Sequence, residues 1–380
     1  MILMSEQVST GKKIFESLAG KAIIIGVYLA LLALFLYFPR LLDWMGRSKN
    51  TIHVYSFTEI ISPEAIEEFE KETGISVVMT YFETNEDLYT KFKVTGGEGY
   101  DLVTPSDYMV ELLANEKLLH TLDHAKLPCF KEIDKRLMGR YFDPENNYSI
   151  PAVWNVYGIA FDRTFLDIQN DEVSLDVIFK GPEAWKLGAQ TRKGTRICMV
   201  EDPLEALMYA GLYLFGKVDN FSDEEFEEIK KLLIKQKEWV ECYSNSSLYY
   251  YLLGKIVPLA LTPGIFMRKL AGEFKNFAFM IPKEGSMLVV ENFAIPAQSR
   301  KIELVYKLIN FLLSKEMAAS HSDMYGFNPT NRFAYELLDP EIVNNPHYFP
   351  TDERFEKLFH THNNLPMDKV EDIWLAVKFA

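Results

Sequence analysis

Cysteine is scarce in this chain, with three residues among 380. Cys129, Cys198 and Cys242 lie far apart and form no CxxC pair and no metal-ligand spacing. The pattern therefore predicts neither a disulfide framework nor a metal site built on thiolates. An odd number of cysteines still permits a single bridge in an oxidising compartment, so cysteine content does not indicate where the protein resides.

Basic residues are outnumbered, since 40 Lys and Arg face 54 Asp and Glu and give a net charge of -14. The first 49 residues carry six basic and three acidic side chains, so the acidic excess lies in the rest of the chain. Nucleic-acid binding needs clustered Lys and Arg, and we predict no nucleic-acid partner. An acidic chain suits a cationic ligand, although acidity is also common in ordinary soluble proteins.

Motifs for catalysis, cofactors or metals are missing or incomplete. The segment GLYLFGK, from Gly211 to Lys217, matches most of a phosphate-binding loop, but Val218 stands where that loop needs Ser or Thr, and an apolar helix precedes it. His360 and His362 could ligate a metal, yet no carboxylate or thiolate follows at ligand spacing. No Ser-His-Asp or Cys-His arrangement has local sequence support. We therefore predict a protein that is not an enzyme and holds no cofactor or metal.

Long hydrophobic runs are confined to the N-terminus, where residues 22–38 form 17 consecutive apolar positions, enough to span a bilayer at the lower limit. A secretory signal would have a shorter apolar region and a small-x-small cleavage site, whereas Pro39 and Arg40 follow directly. No cysteine suited to lipoprotein processing lies nearby. We predict an uncleaved membrane anchor within a segment 1–49; the alternative is a buried helix of a soluble domain.

Beyond residue 50, strand and helix patterns alternate, and 48% hydrophobic content over this length allows two lobes. Strands are predicted at 51–57, 75–81 and 101–104, with helices at 63–73 and about 85–92 between them. Ser62 is a candidate N-cap and Gly74 a candidate stop for the first helix. This βαβαβ order predicts a mostly parallel sheet. The pattern recurs with strands at 158–161 and 196–200, an amphipathic helix at 224–240 and an apolar core helix at 304–313.

Acidic residues follow several predicted strands, at the edge where open α/β sheets bind their ligands. Glu59 follows the first strand, and Glu291 precedes an apolar Phe-Ala-Ile-Pro segment. Asp202 and Glu205 follow the 196–200 strand, and their spacing places them on one face of the helix that begins there. For each residue the alternative is a helix cap or a solvated carboxylate.

Seven segments resemble, in order along the chain, signatures of the bacterial spermidine/putrescine-binding protein family. They are Tyr55–Glu59, Phe69–Ile75, Tyr100–Ser106, Tyr148–Pro151, Ile281–Gly285, Ala294–Pro296 and Leu308–Leu313. No single segment is diagnostic, but their collinear order across residues 50 to 380 is a strong signal.

The resemblance implies an α/β, bilobed periplasmic-binding-protein fold, with a ligand cleft and crossing hinge segments. The implied lobes are 50–155 plus 290–335 and 156–289 plus 336–380. It also implies a receptor that binds a polyamine or other small organic cation on the periplasmic or extracytoplasmic face and delivers it to the permease subunits of an ABC importer. With the predicted anchor, the receptor would be tethered to the inner membrane.

The resemblance further implies a ligand site at ten positions. They are Phe57, Thr58, Glu59, Ser106, Tyr108, Asp202, Glu205, Thr262, Glu291 and Phe327. In the family, carboxylates hold the ammonium groups and aromatic rings enclose the methylene chain. The acidic positions are kept here, with Glu291 a longer replacement for an aspartate.

The aromatic cage is reduced compared with the family. Phe57 replaces a tryptophan and Phe327 a tyrosine, while Thr262, Val289 and Ile60 stand where the family places rings. In addition, residue 360 is a histidine at the position of a family glutamine. Neither the particular polyamine nor the affinity is therefore implied.

Two other classes of function fit parts of the sequence. A membrane-tethered sensor or interaction protein would keep the fold with a changed or lost ligand. An enzyme would use Asp202 and Glu205 as acid and base, but no nucleophile, cofactor loop or metal set accompanies them.

Overall fold

The computed structural model describes residues 21–22, 25–35, 37, 50–166, 168, 172–185, 195–244, 247–271, 276–361 and 365–380. They belong to two compact units, Met1–Thr51 and Ile52–Ala380. In the first unit, residues 25–35 are helical and carry exposed apolar side chains. Within the described ranges, no helix has both the length and the apolar character needed to cross a membrane. The predicted anchor at 22–38 lies partly outside those ranges.

Eleven strands are present among the described residues. They are β1 Thr51–Phe57, β2 Ser76–Phe82, β3 Leu102–Val103, β4 Ser149–Asp162, β5 Ile197–Met199, β6 Val240–Tyr243, β7 Leu259–Pro263, β8 Phe277–Met280, β9 Ser286–Ala294, β10 Asn328–Pro329 and β11 Leu358–Phe359.

The α-helices of the second unit are numbered in chain order. They are α1 Pro63–Thr73, α2 Asn85–Thr95, α3 Asp107–Asn115, α4 Asp176–Phe179, α5 Pro203–Phe215, α6 Asp223–Gln236, α7 Leu248–Leu253, α8 Gly264–Ala271, α9 Ile302–Leu312, α10 Lys315–Tyr325, α11 Pro340–Val343, α12 Asp352–Phe355 and α13 Met367–Phe379.

Helix α1 begins and ends where the sequence predicts. The Ser62 hydroxyl accepts a hydrogen bond from the Ala65 N–H, and Pro63 occupies the first turn. Gly74 ends the helix in the left-handed conformation, at φ 68°, which costs least without a side chain. Ile66 and Phe69 are buried. Local capping chemistry therefore fixes this helix.

The sheet is mixed, in the order β2-β1-β3-β9-β4-β7-β5-β6, so the expectation of a mostly parallel sheet was wrong. The β1–β3, β5–β6 and β5–β7 pairs are parallel, as βαβ units require. Strand β9 runs antiparallel to β3, and β4 runs antiparallel to β7, β8, β9 and β10. The local pattern identified the βαβ units but could not show long-range antiparallel pairing.

Strand β4 is 14 residues long, and the predicted strand at 158–161 is only its last part. Its first part pairs with β9, from Ser149 opposite Ala294 to Val156 opposite Leu288. Its last part pairs with β7 and β8. Strands β4 and β9 therefore connect two halves of the sheet.

Separate core clusters fill these halves. One contains buried residues between 52 and 153 and between 293 and 313, including the core helix α9, which confirms the apolar helix predicted at 304–313. Another contains buried residues between 157 and 287 and between 365 and 377. A third contains the fully buried Trp154 and draws on buried residues between 55 and 355, from both sides of the sheet's midpoint strands β4 and β9. We call the part of the fold around the first cluster the N-terminal half and the part around the second cluster the C-terminal half.

Candidate functional site

A cavity of about 540 Å³ lies at the carboxyl ends of several strands and is lined by residues from both halves. Strand β1 ends at Phe57, and β2 leads into residues 83–86. Strands β3 and β5 lead into residues 106–108 and 202–205. The last three segments each begin a helix, namely α2, α3 and α5. The volume is that of a small-molecule site, and the edge is the one where α/β sheets bind ligands.

The cavity is strongly acidic. Its walls carry six carboxylates, which are Glu83, Glu86, Asp107, Asp202, Glu205 and Glu291. No Lys, Arg or His in the described part of the chain lines it. Like charges this close destabilise one another unless a proton or a cation neutralises them. The cavity therefore favours a ligand with more than one positive charge.

The N-terminus of α5 holds two of these carboxylates. The Asp202 carboxylate caps the helix by accepting the Glu205 N–H at 3.0 Å, so the cap considered as an alternative role is present, and the same residue also lines the cavity. The Tyr157 hydroxyl donates to the Glu205 carboxylate at 2.8 Å. Desolvation raises the pKa of Asp202, although backbone N–H bonds favour its ionised form. Fixed donors thus hold both carboxylates in place.

Glu291 is in a different environment. It lies on β9 opposite Val153, and none of the described residues donates a hydrogen bond to its buried Oε2 atom. Burial, together with the charge of nearby Asp107, raises the pKa of Glu291 to about 8. Asp107 is itself almost fully buried and lies 2.8 Å from Nδ1 of His360. Without a cation, Glu291 is therefore mostly protonated at neutral pH.

Aromatic rings accompany the carboxylates. Phe57, Tyr108 and Tyr157 line the cavity, and Val289 lies there too, at a position where the resembled family has a ring. The Tyr108 hydroxyl donates to Glu86 at 3.1 Å. Carboxylates beside ring faces can hold an ammonium group while the rings cover attached hydrocarbon.

The structure brings together six of the ten site residues predicted from the sequence. Those lining the cavity are Phe57, Ser106, Tyr108, Asp202, Glu205 and Glu291. Thr58 and Glu59 are exposed in the turn after β1, Thr262 is fully buried in β7, and Phe327 is half-buried near His321. These four do not line the cavity. All ten remain predictions as ligand contacts.

Other cavity residues were missed by the sequence reasoning. They include Glu83, Glu86, Asp107 and Tyr157. The first three follow β2 and β3, so the rule that ligands bind beyond strand ends could have found them. Tyr157 lies inside the long β4 strand, where no local signal distinguishes it from a core residue.

The two motifs judged incomplete have other structural roles. GLYLFGK begins with the last turns of α5 and continues through Gly216, which ends that helix at φ 69°, so no phosphate-binding loop forms. His360 contacts Asp107, while His362 lies outside the described residues. Within the described ranges, no cluster of three or more His, Cys, Asp or Glu has a metal-binding arrangement.

A mixed α/β fold with two halves, long connecting strands and a charged cavity at the strand ends defines a solute-binding protein. Residues 64–351 match the family of bacterial extracellular solute-binding proteins, and the chain belongs to that family. Its members are receptors rather than enzymes. The fold is accordingly the bilobed fold of periplasmic binding proteins.

Several similar proteins are named for the polyamines that they bind. The chain is 30% identical over 310 residues to the spermidine/putrescine-binding periplasmic protein of Escherichia coli, covering 80% of this chain and 84% of that protein. It is 32% identical over 330 residues to the putrescine-binding periplasmic protein SpuD of Pseudomonas aeruginosa, covering 83% and 88%. The crystal structure of the spermidine/putrescine ABC transporter substrate-binding protein PotD from Streptococcus pneumoniae aligns with a TM-score of 0.75 at 26% identity, covering 87% of this chain and 99% of that one.

Proposed function

We propose that this chain is the substrate-binding receptor of a polyamine ABC importer and binds a small organic di- or polycation in the acidic cavity. One observation carries the proposal. Six carboxylates, and none of the described basic residues, line a cavity of about 540 Å³. Relatives that bind spermidine and putrescine support the same ligand class.

In this proposal the two carboxylates at the start of α5 hold one ammonium group. Each charge-assisted hydrogen bond contributes about 1.5–3 kcal/mol. Glu291 and Asp107 hold a second ammonium group, and Phe57, Tyr108 and Tyr157 cover the methylene chain between them. A polyamine matches this arrangement because its charges are separated by apolar carbon.

We propose lobes at 50–155 plus 290–335 and at 156–289 plus 336–380. The first and second of the three core clusters support these boundaries, because every buried member of the first falls in the first lobe and every buried member of the second falls in the second lobe. Strands β4 and β9 would serve as crossing segments. A cation that contacts both lobes favours the closed state over the open state, and closure would present the loaded receptor to the permease.

We propose that the receptor lies on the extracytoplasmic side of the membrane, because the relatives named above are periplasmic proteins. We also propose that residues 22–38 tether it to the inner membrane, supported by the 17-residue apolar run. Mass spectrometry of membrane-associated protein should find residues 1–49 attached. A soluble mature chain beginning between residues 40 and 50 would contradict the anchor but leave the ligand proposal intact.

Calorimetric titration tests the ligand proposal. Putrescine, spermidine and spermine are each titrated into the purified chain, and 1,4-butanediol, the uncharged analogue of putrescine, serves as the control. We expect saturable binding of at least one amine and none of the diol. Absence of binding to all three amines by a chain that melts cooperatively would overturn the proposal and favour a sensor that has lost its ligand.

A further inference from the structure

Two of the three cysteines are neighbours in the folded chain. Cys198 lies on β5 and Cys242 on β6, and they are paired across these parallel strands. Their sulfur atoms are 2.7 Å apart, compared with about 2.05 Å in a formed disulfide. The two positions are 44 residues apart, so no local spacing predicts which cysteines pair.

The two thiols differ in accessibility. Cys198 is buried, whereas Cys242 is only half-buried and is the more exposed of the two. The hydrogen bond between them lowers the pKa of Cys242, and the same bond together with burial raises the pKa of Cys198. Cys242 is therefore the thiol suited to attack first, since the thiolate is the reactive form.

Strand β6 ends the main sheet path and, within it, neighbours only β5 in the described part of the chain. Asp202 follows β5 closely in the chain, where it caps α5 and lines the cavity. A covalent link between β5 and β6 would fasten this edge of the C-terminal half close to the proposed cation site.

We propose that Cys198 and Cys242 form a redox site that closes into a disulfide by exchange with a disulfide-bearing small molecule or a thiol-oxidising protein. The Cys242 thiolate attacks one sulfur of the incoming disulfide, forms a mixed disulfide and releases the first thiolate. The Cys198 thiol loses its proton and attacks the Cys242 sulfur, which releases the second thiolate. Two protein thiols are oxidised and one external disulfide is reduced to two thiols, so two electrons and two protons leave the protein. The encounter with such an oxidant rests on the extracytoplasmic location proposed above.

The test exposes the full-length chain to oxidised glutathione and counts thiols after denaturation. We expect one remaining thiol, that of Cys129, and a dithiothreitol-sensitive peptide linking Cys198 to Cys242 by mass spectrometry. We also expect the melting temperature to rise by several degrees on oxidation, because the link closes a long loop. Cys129→Ser should keep this redox response, and Cys242→Ser should abolish it.

Three free thiols after prolonged oxidation, or a cross-link that involves Cys129, would overturn the proposal. A redox-dependent melting shift that persists in Cys242→Ser would also do so. Polyamine titration is a separate measurement, so failure to bind amines would leave the disulfide result valid. Failure to form the disulfide would likewise leave the titration result valid.

Discussion

The two acidic walls of the cavity place the same chemical group in different environments. At the start of α5, Asp202 accepts a backbone N–H and Glu205 accepts the Tyr157 hydroxyl. Across the sheet on β9, no described donor reaches Oε2 of Glu291, and its pKa is raised to about 8. At Asp202 the backbone donors favour the ionised form and oppose the desolvation that raises its pKa, whereas at Glu291 burial and the charge of Asp107 both favour the proton.

This difference assigns separate roles to the two walls. Hydrogen bonds orient the α5 carboxylates in the empty protein, so a cation can contact them with little rearrangement. The β9 wall holds a proton that a cation must displace. Cation binding should therefore be linked to proton release from Glu291.

Removing charge from the α5 wall should have the largest effect on binding. Asp202→Asn and Glu205→Gln should each weaken polyamine binding by about 1–3 kcal/mol, and together by up to about 6 kcal/mol, because each removes a charged acceptor. Calorimetry measures the loss. Glu201→Gln is the matched control, since Glu201 is an exposed neighbour that does not line the cavity and should change affinity little. Equal losses in the control and the site variants would show that overall charge, not a site, governs binding.

The second prediction concerns the pH dependence of affinity. Below a pKa of about 8 the ionised fraction of Glu291 rises with pH. Affinity for a cation should then increase by up to about 1.4 kcal/mol per pH unit between about pH 6 and pH 8. It should level off above pH 8 and fall once the amines lose their own protons. Titrations at several pH values should show an affinity that rises with pH in wild type and is nearly independent of pH in Glu291→Gln. A steep rise in the variant would show that Glu291 is not the group whose titration controls the affinity.

The stability of the empty protein gives a third prediction. The pKa of Glu291 rises from an ordinary 4.5 in the unfolded chain to about 8 in the folded one. The stabilisation of the folded state that is linked to this raised pKa is therefore fully present below about pH 4.5. It is lost as pH rises through 8. Glu291→Gln resembles the protonated form and should be more stable than wild type above that pH, by about 1–3 kcal/mol. Urea unfolding at acidic and alkaline pH measures this, and an unchanged difference between the two proteins would contradict it.

Two of the three positions that lack a family ring give the smallest expected effects on binding. Val289 lines the cavity, so Val289→Trp should strengthen spermidine binding by about 0.5–2 kcal/mol if the indole meets a desolvated ammonium group. Thr262 is fully buried, so Thr262→Trp should instead destabilise the fold by about 1–3 kcal/mol through overpacking. Calorimetry and thermal melting distinguish the two. Weaker binding by a well-folded Val289→Trp would indicate a cavity reshaped for another ligand.

Local signals predicted local structure well. The ends of α1 followed from Ser62, Pro63 and Gly74, because each supplies a specific capping contact or backbone geometry. The length of β4 and the mixed sheet did not follow, since antiparallel pairing between β4 and β9 depends on residues more than a hundred positions apart.

The candidate site was predicted in part for similar reasons. Residues that follow a strand directly, such as Asp202 and Glu205, carried a pattern, and the family resemblance added Phe57 and Tyr108. The position of Tyr157 and the lack of a described donor to Oε2 of Glu291 arise only when β4, β9 and α5 pack together, so no sequence spacing encodes them. Thr262 held a ring position in the resemblance, yet β7 buries it completely.

Proton release on binding tests the central claim most directly. Spermidine is titrated into the chain near neutral pH in two buffers that differ in ionisation enthalpy, and the difference in heat gives the protons exchanged. The account predicts release of close to one proton in wild type and in Asp202→Asn, and release of almost none in Glu291→Gln. Tight spermidine binding by wild type with no proton exchange would contradict it.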